Sequence, residues 1–386
     1  MKIVFTTHTY YPHKDGVAIV NEYMTKGLSE KGYVVVVVTH TEDGQKEYEE
    51  RNGISIYRVY NGDAEKYIGF IKKMVSFDDV LVNVCTQTPT TDILYRQLED
   101  IDCQKKILYV HGIWHFGWEK RNFESLHNIV SKVYNNMIWR WYYTSNGKYI
   151  KKYDAVIQLH EHDEGNEYFR KKYGINSFII ENAADDAFFE RADDSDIIQK
   201  YNLPDRYMIC VANYSKAKNQ EMVLRAYYQS GCSYEMIFVG QDKSGYIDYL
   251  KKVEQEYHSK TVKKVRFLQN IPREEIPALV RNAYLFLFGS VGEKFPVSIV
   301  EAMAAGIPFV STDVGVVSNF PGGKSVCNNK KGIKEMADCI DYYIQNIDSW
   351  NSDGKMGQEF AFQYMKISKK TKEMEKIISN VPTDVL

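Results

Sequence analysis

The stretch Ala283-Tyr-Leu-Phe-Leu-Phe-Gly-Ser-Val-Gly-Glu293-Lys-Phe-Pro-Val-Ser-Ile-Val-Glu301-Ala-Met-Ala-Ala-Gly306-Ile-Pro-Phe-Val-Ser-Thr312 decides the fold of this chain. It opens on an apolar run short enough for a buried parallel strand. A loop with Gly289, Gly292 and one acid, Glu293, follows. Pro296 suits a first helical turn, where its missing N–H costs nothing. Gly306 ends the helix, Pro308 blocks its continuation, and a second apolar strand begins. The pattern is strand, loop, helix, strand, with one carboxylate at the loop and a second, Glu301, about one turn into the helix.

Ligands of open α/β sheets collect beyond the carboxyl ends of the strands, near helix N-termini. Both acids are spaced to accept hydrogen bonds from sugar hydroxyls there. Charged residues are mostly exposed, so the competing reading makes Glu293 a solvated loop acid and Glu301 a helix-surface acid. The spacing Glu293-x7-Glu301, with Phe295-Pro296 before the helix and Ala302-Met-Ala-Ala-Gly306-Ile-Pro308 after Glu301, resembles the signature of the retaining glycosyltransferases of family 4, the group 1 glycosyltransferases. The resemblance covers nearly the whole chain. It implies an α/β GT-B fold: two Rossmann-like, doubly wound domains facing an interdomain cleft.

The remaining sequence reads along the same lines. With 386 residues the chain exceeds one ordinary core, and 44% hydrophobic content fills two. Strands are expected at 2–7, 34–39, 54–59, 79–84 and 106–110, with a helix over 18–31 completing a first βαβ unit. The rhythm restarts at 207–211, 235–240, 265–268, 285–288 and 309–311. The boundaries that follow are 1–182 for an acceptor-binding domain, with a C-terminal crossing helix at 360–380, and 183–359 for a nucleotide-sugar donor domain. Ile179-Ile-Glu-Asn182-Ala-Ala-Asp185 resembles the family's linker.

Composition removes other classes. A net charge of −2 argues against a dedicated nucleic-acid binder. The six cysteines form no Cys-x-x-Cys pair and read as reduced thiols. No apolar run reaches membrane-spanning length, and Met1-Lys-Ile-Val-Phe reads as a first strand instead of a leader. The expected location is cytoplasmic, with possible attachment at the inner face of the membrane. Residues 119–152, rich in Lys, Arg, Trp and Tyr, fit either a membrane-surface helix or a packed element of the first domain. Pro321-Gly-Gly-Lys-Ser325 is not a phosphate loop, because Ser318 stands where that motif needs glycine.

The resemblance also implies roles for particular residues. Glu301 binds the donor ribose hydroxyls, while Glu293 and the backbone of Lys294 and Phe295 hold the sugar. The backbone near Gln269 and Ile271 meets the base, and Gly16 faces the diphosphate. Val211-Ala-Asn213-Tyr-Ser-Lys-Ala-Lys218 corresponds to the family's diphosphate clamp. Lys218 is kept, but Asn213 stands in place of an arginine, so half of the cationic clamp is missing. His111, at a strand end before Gly112, contacts the transferred sugar in similar enzymes. A structural histidine and a zinc pair with His115 are the rival readings, although Gly112 occupies the position that zinc-protease motifs give to glutamate. His160-Glu-His162 shows no third ligand. No metal and no cofactor are expected, the nucleotide-sugar being a substrate and the acceptor a glycan or lipid-linked glycan. Two other activities remain open: a catalytically weak nucleotide-sugar-binding subunit, and a non-hydrolysing nucleotide-sugar epimerase.

Overall fold

The computed structural model describes residues 1–113, 116–118, 123, 125–258 and 262–379. The chain divides into two units. The first holds Met1–His13, Val17–Glu181 and the residues from Thr371 on; the second holds Lys14–Gly16 and Asn182–Lys370.

The first unit is an eight-stranded sheet of β1 (Lys2–Thr6), β2 (Val34–His40), β3 (Tyr48–Arg51), β4 (Ile54–Tyr60), β5 (Val80–Val84), β6 (Lys105–Tyr109), β7 (Ala155–Gln158) and β8 (Phe178–Ile179). Their order is β3-β4-β2-β1-β5-β6-β7-β8. Helices α1 (Gly16–Glu30), α2 (Ala64–Met74), α3 (Pro89–Asp92), α4 (Leu126–Ile150) and α5 (Glu164–Tyr173) connect them. The apolar run Val35–Val38 and the strand Val80–Val84, whose one polar residue is Asn83, bury every residue, as parallel strands covered on both faces require. Sequence reading missed β3. Its pattern is mostly exposed and charged, and it pairs antiparallel with β4 at the sheet edge.

The second unit is a six-stranded, all-parallel sheet of β9 (Tyr207–Val211), β10 (Glu235–Val239), β11 (Val265–Leu268), β12 (Leu285–Phe288), β13 (Phe309–Thr312) and β14 (Gly323–Val326). Helices α6 (Ser195–Lys200), α7 (Gln220–Gln229), α8 (Tyr246–His258), α9 (Ile276–Arg281), α10 (Val297–Ala304), α11 (Lys330–Gln345) and α12 (Ile347–Tyr364) belong to it, and α13 (Ile367–Ser379) follows. Its core gathers Met208, Phe238, Leu285, Leu287, Met336 and Tyr343 between sheet and helices. Gly323, Lys324 and Ser325 lie on β14, so the Gly-Lys-Ser part of that run is strand and not loop.

The single helix expected over 360–380 is corrected to two, α12 and α13. The break has its cause in backbone pairing: Ala184 N–H donates to Met365 O at 3.0 Å and Ile367 N–H donates to Ala184 O at 3.1 Å. A parallel bridge between Ala184 and Lys366 takes up backbone groups that a continuous helix would use internally. Residues up to Lys370 group with the second unit and those from Thr371 with the first.

Candidate active site

The strand order of the second unit, β11-β10-β9-β12-β13-β14, reverses direction between β9 and β12. That switch point is where open α/β sheets take ligands. Two loops flank it, residues 212–219 after β9 and 289–296 after β12. They lie very close together. A Cβ on Gly289 would sit 2.7 Å from Asn219 O, so only glycine allows this approach. Val291 N–H donates to Ala217 O at 2.9 Å, and Thr312 Oγ1 donates to the carbonyl of buried Ser290 at 2.6 Å. The loops are thereby fixed before any ligand arrives.

This framework brings Lys218 and Glu293 together. The Lys218 ammonium donates to Glu293 Oε1, and Ser290 Oγ donates to the same oxygen at 2.8 Å. The Glu293 side chain is 15% exposed and that of Lys218 is 32% exposed, so the cation is the more open partner. An ammonium carries three donors, of which Glu293 takes one. Glu293 is not a solvated loop acid; it is held between a cation and a hydroxyl.

The backbone beyond Glu293 is equally constrained. Gly315, at φ +59°, abuts it so closely that a Cβ there would lie 2.3 Å from Lys294 O and 2.9 Å from Glu293 O. Phe295 is buried, and its carbonyl accepts from Asn182 Nδ2 at 2.8 Å. Asn182 thus ties the linker to the loop that carries Glu293. Asp185 accepts from Ala187 N at 3.0 Å and caps a short turn.

Glu301 lies on α10 and is 2% exposed, which overturns the helix-surface reading. Its Oε1 accepts from Arg273 Nη2. The Arg273 guanidinium also stands 5.6 Å from the centroid of the buried Phe188 ring. Sequence reading missed Arg273. It sits in the single turn Arg273–Glu275 between β11 and α9, with no periodicity, 28 positions from its partner.

The remaining donor candidates divide. Asn213 supplies no charge, and both polar atoms of its side chain serve backbone: Nδ2 donates to Lys14 O at 2.9 Å and Oδ1 accepts from Gln241 N at 3.3 Å. Ile271 is buried, its carbonyl accepting from Lys14 Nζ at 2.8 Å, whereas Gln269 is exposed just beyond β11. Gly16 is the first residue of α1, with open space where a Cβ would stand.

In the first unit, His111 lies just past β6, one residue, Val110, intervening. It is 7% exposed, and Nε2 has no hydrogen-bond partner among the described residues. Burial pushes its imidazole down to about 3, so the ring is neutral at physiological pH. Its ring centroid lies 4.3 Å from that of Tyr109. A neutral, buried ring nitrogen without a partner is unusual and suits a hydroxyl supplied by a ligand. His115 lies outside the described residues. No cluster of three or more His, Cys, Asp or Glu able to hold a metal occurs among the described residues.

The state of His111 makes a stability prediction. A depressed native value means that the unfolded chain binds the proton first, so stability falls as pH drops below about 6.5. Between pH 6.5 and 4.5 this one group should cost about 2–3 kcal/mol. Denaturant unfolding at the two pH values should show that loss in the wild type and correspondingly less in His111→Gln. Equal pH dependence in both proteins would exclude a neutral, buried His111.

Comparison with known proteins agrees with this fold. Residues 193–360 match the family "Glycosyl transferases group 1". The chain is 21% identical over 389 residues to the phosphatidylinositol N-acetylglucosaminyltransferase GPI3 subunit of Saccharomyces cerevisiae, covering 96% of this chain and 82% of the yeast protein. It is 26% identical over 161 residues to the O-antigen chain mannosyltransferase B of Escherichia coli, covering 40% and 41% of the two chains. Among solved structures, the Anabaena protein HepE in complex with UDP superposes with a TM-score of 0.74 at 18% identity, over 99% of this chain and 100% of that one. The fold is GT-B, and the segment 193–360 that matches the group 1 glycosyltransferases lies in the second unit.

Proposed function

We propose that the protein is a retaining, metal-independent hexosyltransferase. It moves a sugar from a UDP- or GDP-sugar to a glycan or lipid-linked acceptor during bacterial surface polysaccharide synthesis, at the inner face of the membrane. The observation that carries this reading is the Lys218–Glu293 pair held at the switch point of the second sheet, with the buried Glu301 on the helix that follows. The HepE complex with UDP supports a uridine donor, the yeast relative's name a lipid acceptor, and the E. coli relative's name a surface glycan.

In this reading Glu301 accepts from the ribose hydroxyls, and the backbone near Gln269 and Ile271 meets the base. The diphosphate meets Lys218 and the amide end of α1 at Gly16. Glu293, with the backbone of Lys294 and Phe295, grips the sugar, and neutral His111 hydrogen-bonds to it. The bond from the anomeric carbon to the diphosphate oxygen breaks as the acceptor oxygen bonds to the same face. The acceptor's proton passes to the leaving phosphate. No protein nucleophile is needed, so rate comes from positioning and from stabilising leaving-group charge.

Because Lys218 supplies the positive charge, transfer should survive chelation. Loss of activity on EDTA treatment with rescue by Mn²⁺ would sink the metal-independent assignment. A second reading, a nucleotide-sugar-binding subunit of low intrinsic activity, draws on Asn213, which brings no cation to the site. Thermal shift against a nucleotide panel, followed by turnover with the donor so identified, separates the two. Donor binding without turnover in the presence of glycan and lipid-linked acceptors favours the subunit.

A further inference from the structure

Helix α4 is inside out over its first four turns. Lys132 and Asn136 occupy inward, buried positions. Leu126, Val130, Val133, Met137, Ile138 and Trp141 face outward, with Met137 66% and Trp141 72% exposed. Leu126, Val130, Val133, Met137 and Trp141 recur at spacings of three and four residues and make one continuous stripe, with Ile138 at its side; it is about 22 Å long at 1.5 Å per residue. Exposed Tyr134 lies on the same face. Soluble proteins rarely leave so long an apolar surface uncovered unless it binds something.

The charge of the helix identifies the occupant. From Leu126 to Ile150 there is no Asp or Glu, while Lys132, Arg140 and Lys148 are basic, in a chain whose net charge is −2. Arg140, Lys148 and the following Lys151 are exposed. Pairing this face with a second copy would juxtapose two basic helices with no acid on either to offset them. An apolar stripe carrying Trp and Tyr and flanked by cations is the pattern of a helix lying in the boundary between headgroups and acyl chains. No helix among the described residues is long and apolar enough to cross a membrane, so contact through α4 is contact with a surface.

We propose that the outward face of α4 docks on an anionic lipid bilayer, Val133, Met137 and Trp141 entering the boundary while Arg140, Lys148 and Lys151 meet the headgroups. The proposal rests on the membrane location argued above and holds whichever donor and acceptor are used. It also accounts for a sequence that spends apolar residues on the solvent side of a helix and polar ones on the protein side.

The test is co-sedimentation of the full chain with vesicles of phosphatidylcholine alone and with phosphatidylglycerol added. The chain should bind the anionic vesicles and release them steeply as salt rises, because screening shortens from about 10 Å at 0.1 M to about 3 Å at 1 M. The double variants Val133→Asp/Met137→Asp and Arg140→Glu/Lys148→Glu should each lose about tenfold or more in vesicle partitioning, given roughly fivefold per cation near the surface. Their denaturation midpoints and nucleotide binding should match the wild type, since all four side chains are exposed or lie on the helix surface. Equal binding to both vesicle types, or variants that bind like the wild type, would overturn the proposal. So would a wild-type dimer that ignores vesicles and falls to monomer on Val133→Asp/Met137→Asp, which would make the stripe an interface between copies. Vesicle binding by a chain that binds no nucleotide would leave this surface standing and remove the transferase reading instead.

Discussion

Glu293→Gln is expected to lower turnover at saturating donor by about 100-fold or more while nucleotide affinity holds or rises. Two observations set the direction. Glu293 is pinned by Lys218 and Ser290, so the substitution removes a charge without releasing the loop, which remains fixed through Val291, Thr312 and Gly315. The Lys218 ammonium then loses its anionic partner, which leaves it more available to a diphosphate. A sugar that gains positive charge as its bond to phosphate breaks would feel the missing carboxylate most at the transition state, and an interaction that strengthens only there appears in turnover. Lys218→Ala is the contrasting variant and should lose both affinity and rate. Calorimetry with the free nucleotide and turnover at saturating donor check the pair. If Glu293→Gln abolishes nucleotide binding, the acid belongs to the nucleotide site and not to the sugar.

Much of this framework was legible in the sequence for reasons that are local. Strands β9 and β12 match their expected bounds because buried parallel strands are unbroken apolar runs ended by glycine or polar loops. The loop and helix carrying Glu293 and Glu301 were legible because Pro296, Gly306 and Pro308 punctuate them. What stayed hidden depends on partners distant in sequence. Arg273 carries no signal until folding sets it beside Glu301. The break between α12 and α13 needs Ala184, far away in the sequence, to claim the backbone at Met365 and Ile367. The composition of α4 showed aromatics and cations but not which face they occupy. That became visible only when the inward positions proved to be Lys132 and Asn136. Asn213 was read as half of a lost clamp, and the structure gives it an occupation of its own, bridging two backbone segments.

Glu301→Gln is expected to weaken binding of the free nucleotide product by about tenfold or more, with turnover at saturating donor little changed. The ribose does not react, so its contacts contribute equally before and at the transition state and appear as affinity. Each hydrogen bond to a charged group is worth roughly 1.5–3 kcal/mol, and the carboxylate is suited to accept one or two. The Arg273 pair adds a second, separable effect. Glu301 is 2% exposed, and removing its charge leaves the partly buried Arg273 guanidinium without that partner. Breaking a fully buried pair costs about 3–5 kcal/mol; Arg273, with its side chain 23% exposed, should bring the loss to that range's lower end or below it. Arg273→Met takes the guanidinium away from the buried Glu301, and the double variant removes both charges. Stability should therefore follow a non-additive cycle, the double variant losing less than the sum of the singles. Nucleotide affinity should behave differently. Arg273→Met should weaken it through loss of the carboxylate's fixed position, and adding Glu301→Gln should cost little more. Unfolding midpoints and calorimetry on the four proteins supply both cycles. If Glu301→Gln shows the stability loss with nucleotide affinity intact, Glu301 serves only as the anchor of Arg273, and the ribose site lies elsewhere.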